Sequence, residues 1–219
     1  MAASLLAGLT MLVIGESHLA TAGSLIDTLP DELTRRGAIV HSIGACGANA
    51  GDWLKATSVM CGAEREGVKK LVVKGRDAVT TPIDQLVKRT KPNVIVVVMG
   101  DTMAAYEKAT FPRNWIWQNV TSLTKAIAAT GTPCVWVGPP WGKEGGGYTK
   151  NNARTQLMSQ FLASNVSPCT YIDSLSLARP GQWQTVDGLH FTLAGYQAWG
   201  KGITQALADS PAATTWKKP

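Results

Sequence analysis

Five short, nearly uninterrupted apolar runs constrain the fold of this chain more than any other feature of its sequence. A strand buried on both faces gives a continuous apolar run, whereas a strand with one solvated face alternates apolar and polar residues. Runs of this kind therefore predict the buried strands of a parallel sheet. The five runs are residues 10–14, 38–43, 94–99, 134–137 and 170–172.

Segments with apolar residues at helical spacing lie between these runs, and they are residues 25–36, 82–90, 113–130, 151–164 and 193–208. Within the first of them, Pro30 predicts either a break or the first turn of a new helix. Regular strand–helix alternation predicts a three-layer α/β/α sandwich, in which a five-stranded parallel sheet carries helices on both faces. Residues 60–76 fit neither pattern, and we expect an inserted hairpin or loop there.

The length and the composition favour one globular domain. The chain has 219 residues, of which 45% are hydrophobic, enough to bury a sizeable core and to exclude global disorder. Neither a linker nor an internal repeat divides the sequence. We therefore predict a single domain over residues 1–219.

The charge balance is basic, with 21 Lys and Arg against 15 Asp and Glu and a net charge of +6. Such a surface suits an anionic partner, or it is a solvated face that keeps the protein soluble. Because no basic arm, zinc-finger spacing or aromatic RNA-binding motif accompanies the charge, we expect no nucleic-acid partner. The apolar first fourteen residues lack the features of a secretory signal, and we interpret them as the first core strand rather than a signal peptide.

The four cysteines leave two alternatives open. Cys46 and Cys61 bracket a loop-rich segment, while Cys134 and Cys169 each open a predicted strand, so that neighbouring strands could place them side by side. Two disulfides would imply an oxidising compartment such as the periplasm, whereas four buried thiols would suit the cytosol. We favour the disulfides. With no C-x-x-C spacing and only three histidines, we expect no metal and no cofactor.

The candidate catalytic residues follow the strands or precede the last helix. Ser17 comes directly after the first strand, where it could cap a helix or present a nucleophilic hydroxyl. Asp187 and His190, three residues apart before the last helix, can hydrogen-bond so that the carboxylate fixes the tautomer of the imidazole. His190 could then serve as the general base for Ser17.

Two further turns end at the same predicted edge of the sheet. A glycine-rich turn containing Gly47 follows the second strand, and Gly100, Asp101 and Thr102 follow the third. In this order, with the serine first and the Asp–His pair last, the motifs resemble those of the SGNH (GDSL-like) hydrolase family. The resemblance extends from Ile14 to His190.

Two positions depart from the family pattern. Glu16 stands where the family usually has Asp, and Thr102 stands where an Asn normally donates a hydrogen bond to the oxyanion. The α/β-hydrolase fold is a weaker match, because its G-x-S-x-G turn would require a second glycine where this chain has Leu19.

The resemblance implies ester chemistry through an acyl-enzyme. It assigns Ser17, Asp187 and His190 to a catalytic triad and the backbone N–H groups of Ser17 and Gly47, with Thr102, to the oxyanion hole. Asp101 is expected to contact substrate. Two alternatives remain, an O-acetyltransferase with the same triad and a non-catalytic polysaccharide-binding module.

The eight tryptophans help to choose a substrate class. Trp53, Trp141 and Trp183 fall in predicted loops on the catalytic side, where flat indole rings could pack against sugar rings. We assign Trp136 and Trp199 to the core, together with one or both of Trp115 and Trp117. The chain is therefore predicted to be a carbohydrate O-acetyl esterase, similar to SGNH domains encoded with exopolysaccharide machinery such as cellulose and alginate systems.

These hypotheses imply a partner and a location. The expected partner is an O-acetylated glycan, with association to a membrane polysaccharide-synthesis or acetylation complex. We expect a periplasmic or secreted protein whose signal peptide is absent from this sequence.

Overall fold

The computed structural model describes residues 4–216, in which seven strands form one sheet. The strands are β1 (Thr10–Gly15), β2 (Ile39–Ala45), β3 (Gly62–Glu66), β4 (Val72–Lys74), β5 (Val94–Val98), β6 (Cys134–Val137) and β7 (Thr170–Ile172). Their order across the sheet is β4-β3-β2-β1-β5-β6-β7. The chain is thus a mixed α/β protein with β1 at the centre of its sheet.

Five of the strands form the predicted parallel sheet, and two more extend it. Strands β2, β1, β5, β6 and β7 are parallel neighbours, whereas β3 pairs antiparallel with β2 and β4 pairs antiparallel with β3. The β3–β4 hairpin lies within residues 60–76, as expected of that segment, but it joins the main sheet and makes it seven-stranded. Its strands are short and partly charged, and β4 is exposed, so they lack an apolar run.

The helices cover both faces of the sheet. They are α1 (Leu25–Arg35), α2 (Ile83–Thr90), α3 (Asp101–Ala104), α4 (Arg113–Ala129), α5 (Asn152–Asn165) and α6 (Leu193–Asp209). Successive residues of β1 point to opposite faces: Met11 and Val13 join the core beneath α1 and α6, and Leu12 and Ile14 join the core beneath α2 to α5. This division explains why the central strands are apolar throughout.

The predicted break at Pro30 is wrong, because α1 continues through it. A proline inside a helix costs about 3 kcal/mol through its missing N–H and a steric clash. Leu29 and Leu33 beside it are completely buried in the core shared with α6. Burial of each leucine contributes about 1.5–3 kcal/mol, enough to offset the proline.

Both predicted disulfides are present. Cys46 after β2 is bonded to Cys61 before β3, and Cys134 at the start of β6 is bonded to Cys169 before β7. Each bridge therefore joins two neighbouring strands at one end. Among the described helices, none combines the length and the apolar character needed to cross a membrane.

Candidate active site

The candidate nucleophile emerges from the central strand. Strand β1 ends at Gly15, so that Ser17 lies at the carboxyl edge of the sheet and opens a single 3₁₀ turn. This turn packs directly on β2, since a Cβ atom at Gly44 would lie 2.0 Å from the carbonyl oxygen of Leu19. Only glycine fits at that point. The tight turn directs the Ser17 side chain into a surface cleft.

Three side chains from the two ends of the chain form a connected triad. Ser17 Oγ lies 2.8 Å from His190 Nε2, and His190 Nδ1 lies 2.7 Å from Asp187 Oδ2. Because the carboxylate can only accept, Nδ1 carries the proton, and Nε2 is left to accept the proton of Ser17. The structure thus brings together the three residues that the sequence singled out.

The backbone of its own turn holds Asp187 in place. Asp187 Oδ1 accepts hydrogen bonds from the N–H groups of Leu189, at 2.9 Å, and His190, at 2.7 Å. Partial burial opposes ionisation of Asp187. The hydrogen bonds from the His190 side chain and from these two N–H groups outweigh the effect of burial, so the pKa of Asp187 is lowered. A charged carboxylate is therefore fixed against the imidazole.

A glycine-rich loop, residues 142–150, packs against the Asp187–His190 turn. The Gly147 N–H donates to the Asp187 carbonyl oxygen at 2.9 Å, and the Lys143 N–H donates to the Gly188 carbonyl oxygen at 2.9 Å. A Cβ atom at Gly146 would lie 2.5 Å from the Asp187 carbonyl oxygen. The glycines of this loop therefore allow two backbone segments to touch and support the turn that carries Asp187.

Two backbone N–H groups are available to an oxyanion. Gly47 adopts a φ of +74° in the turn after β2 and lines the same cleft as Ser17. Within residues 4–216, neither the Ser17 N–H nor the Gly47 N–H donates to a protein acceptor. Donors that act on a developing negative charge must likewise have no competing protein acceptor.

The predicted oxyanion role of Thr102 does not fit the observed hydrogen bonds. Its hydroxyl donates to the Ala48 carbonyl oxygen at 2.8 Å, and its backbone N–H donates to Glu16 Oε2 at 2.7 Å. The single hydroxyl proton is therefore already used. Thr102 connects the turn after β5 to the turn that carries Gly47.

Glu16 links the nucleophile turn to the start of α3. Its carboxylate accepts hydrogen bonds from the N–H groups of Gly100, Asp101 and Thr102, at 3.0, 2.9 and 2.7 Å. Complete burial and the nearby charge of Asp101 outweigh these hydrogen bonds and raise the pKa of Glu16 to about 7. The glutamate thus replaces the usual aspartate as a positioning group.

Asp101 was expected to contact substrate; it lines the cleft, but its carboxylate is held in a buried network. Lys150 Nζ lies 2.7 and 2.9 Å from its two oxygens, His18 Nε2 lies 2.9 Å away, and the Tyr106 hydroxyl donates to it as well. Burial opposes ionisation, but the charge of Lys150 and the hydrogen bond from His18 outweigh it and lower the pKa of Asp101. With these partners, the carboxylate is part of the scaffold.

His18 belongs to the same network. Its Nδ1 lies 2.9 Å from the Tyr196 hydroxyl, and its ring lies 5.3 Å from that of His190 between centroids. Burial lowers the pKa of His18, against the influence of Asp101. The neutral ring thus connects Asp101 to α6 behind the triad. Sequence reasoning had assigned it no role, since its partners lie far away in the chain.

The cluster of Glu16, His18 and Asp101 has the residue types of a metal site, and one potential ligand atom from each lies within 4.8 Å of the others. These atoms already have partners, because the Lys150 ammonium group contacts Asp101 and three N–H groups contact Glu16. A cation would have to displace them. We therefore interpret the cluster as an internal hydrogen-bond network.

The three tryptophans expected in the cleft lie elsewhere. Trp53 is completely buried in the core beneath α2 to α5. Trp141 donates its indole N–H to the Leu175 carbonyl oxygen at 2.9 Å, and Trp183 packs edge-on against Phe191. None of the three lines the cleft around Ser17. A position in a loop does not reveal which way a side chain points.

Different aromatic residues line the cleft, namely Trp115, Tyr106 and Tyr148. Trp115, in the first turn of α4, is 42% exposed, and Trp117 on the same helix is 49% exposed, so neither is a core residue. Trp136 and Trp199 are buried, as predicted. Tyr148 lies in the glycine-rich loop, and no sequence motif had pointed to it.

No protein-family model matches the chain, but solved structures share its fold over most of its length. A G-D-S-L family protein from Desulfitobacterium hafniense DCB-2 aligns over 91% of this chain and 100% of its own, with 12% identity and a TM-score of 0.60. A peptidoglycan O-acetylesterase aligns over 92% of this chain and 91% of its own, with 11% identity and a TM-score of 0.57. The fold is that of the SGNH (GDSL-like) hydrolases, as the motifs predicted.

A closer relative identifies the family. The chain is 40% identical to protein BcsX from Komagataeibacter xylinus over 220 residues, which cover 96% of this chain and 83% of BcsX. The chain therefore belongs to the BcsX family.

Proposed function

We propose that this protein is a serine esterase that removes O-acetyl groups from a carbohydrate. The observation that carries the proposal is the continuous chain of hydrogen bonds from Ser17 through His190 to Asp187, beside two unused backbone N–H groups. A hydroxyl, a base with its tautomer fixed and preorganised oxyanion donors are the parts that acyl transfer requires.

The first half of the reaction forms an acetyl-enzyme. As Ser17 Oγ bonds to the ester carbonyl carbon, its proton passes to His190 Nε2, and the electron pair of the C=O bond moves onto the oxygen. The N–H groups of Ser17 and Gly47 stabilise that oxyanion. When the C=O bond re-forms, the bond to the sugar oxygen breaks, and that oxygen takes the proton from His190.

Water completes the cycle by the same steps. His190 accepts a proton from water as the water oxygen attacks the acetyl carbon, and Ser17 leaves with that proton restored. Asp187 stabilises the charged imidazole in both halves. Acetate is released, and the triad returns to its starting state without a cofactor.

Three observations support a carbohydrate substrate outside the cytosol. The peptidoglycan O-acetylesterase has the same fold, although at 11% identity. The sequence resembles SGNH domains of exopolysaccharide systems, and we take a cellulose-type glycan as the first candidate for a BcsX family member. Two disulfides favour an oxidising compartment, and we propose the periplasm or the cell exterior, beside a membrane polysaccharide-synthesis complex.

A comparison of wild type with Ser17→Ala tests the esterase. We expect the substitution to lower the rate of p-nitrophenyl acetate hydrolysis by at least about 10³-fold, since the nucleophile is removed. Ser164→Ala, at an exposed position of α5, is the matched control and is expected to keep the wild-type rate. Equal background rates in wild type and Ser17→Ala would instead indicate a non-catalytic binding module.

The acceptor distinguishes hydrolysis from transfer. The wild-type protein is incubated with an O-acetylated cello-oligosaccharide and an unacetylated acceptor oligosaccharide, and the products are followed by mass spectrometry. We expect free acetate and no acetylated acceptor. An acetylated acceptor that forms only with Ser17 present would identify an O-acetyltransferase.

A further inference from the structure

The cleft around Ser17 is much larger than an acetyl group. Its volume is about 940 Å³, near the upper end of the roughly 300–1,000 Å³ typical of pockets that hold drug-sized molecules. An acetyl group has only three heavy atoms besides the ester oxygen. With an acetyl ester as the proposed substrate, most of the cleft is left for the alcohol part of the ester.

Two aromatic side chains stand in this remaining space. Trp115 is 42% exposed and Tyr148 is 51% exposed, although both are large and line the cleft. The Tyr148 ring lies 5.3 Å from the His190 imidazole between centroids, at an interplanar angle of 84°. Tyr148 is thus adjacent to the group that returns a proton to the departing alcohol.

The ends of the Tyr148 loop are fixed in place. Lys143 and Gly147 donate backbone hydrogen bonds to the Asp187–His190 turn, and Lys150 is anchored by its buried ion pair with Asp101. An exposed aromatic ring on a well-anchored loop can bind a ligand with little loss of conformational entropy. The position of Tyr148 beside His190 is therefore built into the scaffold.

Two exposed charged side chains, Glu107 and Lys108, also line the cleft, whose walls are otherwise mainly apolar. A sugar ring has an apolar C–H face that packs on an aromatic ring and hydroxyl groups that bond to polar side chains. Half-exposed aromatic rings together with exposed charged side chains match a sugar chain.

We propose that Trp115 and Tyr148 form a binding subsite for an oligosaccharide chain on the alcohol side of the scissile ester. The inference rests on the proposed esterase function, and it narrows the substrate class to acetylated glycans longer than one sugar unit. The two rings bind sugar units next to the acetylated one. A small ester leaves both rings uncovered.

The test compares two esters that differ in the alcohol part. One is an O-acetylated cello-oligosaccharide, and the other is ethyl acetate, with acetate release measured for both. The quantity compared is the ratio of kcat/KM for the oligosaccharide to kcat/KM for ethyl acetate. We expect this ratio to fall about tenfold in Trp115→Ala and in Tyr148→Ala, as is typical for loss of an aromatic anchor. Tyr148→Phe keeps the ring and is expected to keep the ratio.

Trp117→Ala is the matched control, because Trp117 is 49% exposed on the same helix but does not line the cleft. We expect it to keep the wild-type ratio. An unchanged ratio in both Trp115→Ala and Tyr148→Ala, or an equal fall in Trp117→Ala, would overturn the subsite. If Ser17→Ala also hydrolyses both esters at the wild-type rate, the proposed function itself fails, so the two failures are distinguishable.

Discussion

Lys150 and Asp101 form a buried ion pair next to the nucleophile turn, with the ammonium nitrogen 2.7 and 2.9 Å from the two carboxylate oxygens. Both side chains are at most 2% exposed. Asp101 also bonds to His18, the neighbour of Ser17, while Lys150 ends the loop that supports Asp187. The pair thus connects the two halves of the triad through the interior of the protein.

Lys150→Met is predicted to destabilise the fold by about 3–5 kcal/mol, because it leaves the Asp101 carboxylate buried without its counter-charge. Urea denaturation followed by tryptophan fluorescence measures the loss. The double variant Lys150→Met/Asp101→Asn removes both charges and should recover part of it. Lys88→Met, which breaks an exposed pair with Asp84, serves as the control and should change stability by less than about 1 kcal/mol.

Glu16 is predicted to make stability depend on pH. Its pKa is raised from 4.5 to about 7 in the folded protein, so the folded state retains a proton that the unfolded state has already lost. The contribution of Glu16 to stability is therefore fully present below pH 4.5 and is lost as the pH rises through about 7. A pKa shift of this size corresponds to a change of roughly 3 kcal/mol in the free energy of unfolding across this pH range.

Glu16→Gln tests this dependence, because glutamine does not titrate. We expect the free energy of unfolding of wild type, relative to that of Glu16→Gln, to be higher at pH 5 than at pH 8. Urea denaturation at both pH values measures this difference. A difference that stays constant between these values would show that Glu16 is ionised throughout. Asp84→Asn controls for changes in surface charge, since Asp84 is exposed on α2.

The sequence predicted the central parallel strands well because β1, β5 and β6 are buried on both faces, whereas the edge strand β7 is partly exposed. Strand β6 has the predicted bounds, and β1 differs from them by one residue. The roles of individual polar residues were harder to predict. Asp101 follows a strand like a substrate-binding residue, but its partner Lys150 is 49 residues away, and no local pattern connects them.

The triad and the cleft show the same contrast. Asp187 and His190 are close in the sequence, so their hydrogen bond could be inferred from spacing alone. Trp53 resembled a cleft residue, yet Asn49 and Asp52 form a capping box that starts its 3₁₀ turn, and that turn directs the indole ring into the core. Side-chain direction in such short turns depends on contacts that the sequence does not display.

Thr102→Val is predicted to have a modest effect on catalysis. The hydroxyl donates to the Ala48 carbonyl oxygen at 2.8 Å, so its loss should cost about 1 kcal/mol of stability and less than about tenfold in kcat. A direct oxyanion donor would cost roughly 10²–10³-fold in kcat. Kinetics with p-nitrophenyl acetate separate the two, and a loss in the larger range would restore Thr102 to the oxyanion hole.

The two disulfides are predicted to differ in their effect on catalysis. Cys46 precedes Gly47, and its N–H donates to the Cys61 carbonyl oxygen at 2.8 Å, so this bridge holds the turn that carries the proposed oxyanion donor. The Cys134–Cys169 bridge joins the start of β6 to the segment just before β7. It therefore lies at the amino-terminal ends of these parallel strands, at the opposite edge of the sheet from Ser17. Cys46→Ser/Cys61→Ser should therefore lower kcat as well as stability.

Cys134→Ser/Cys169→Ser is the matched control and should lower stability alone. Closing a 15-residue loop contributes roughly 3 kcal/mol and a longer one somewhat more, so both double variants are expected to lose stability to a similar extent. Urea denaturation and kcat for p-nitrophenyl acetate are measured on the same preparations. Equal kcat values in the two double variants would mean that the Cys46–Cys61 bridge stabilises the fold without positioning Gly47.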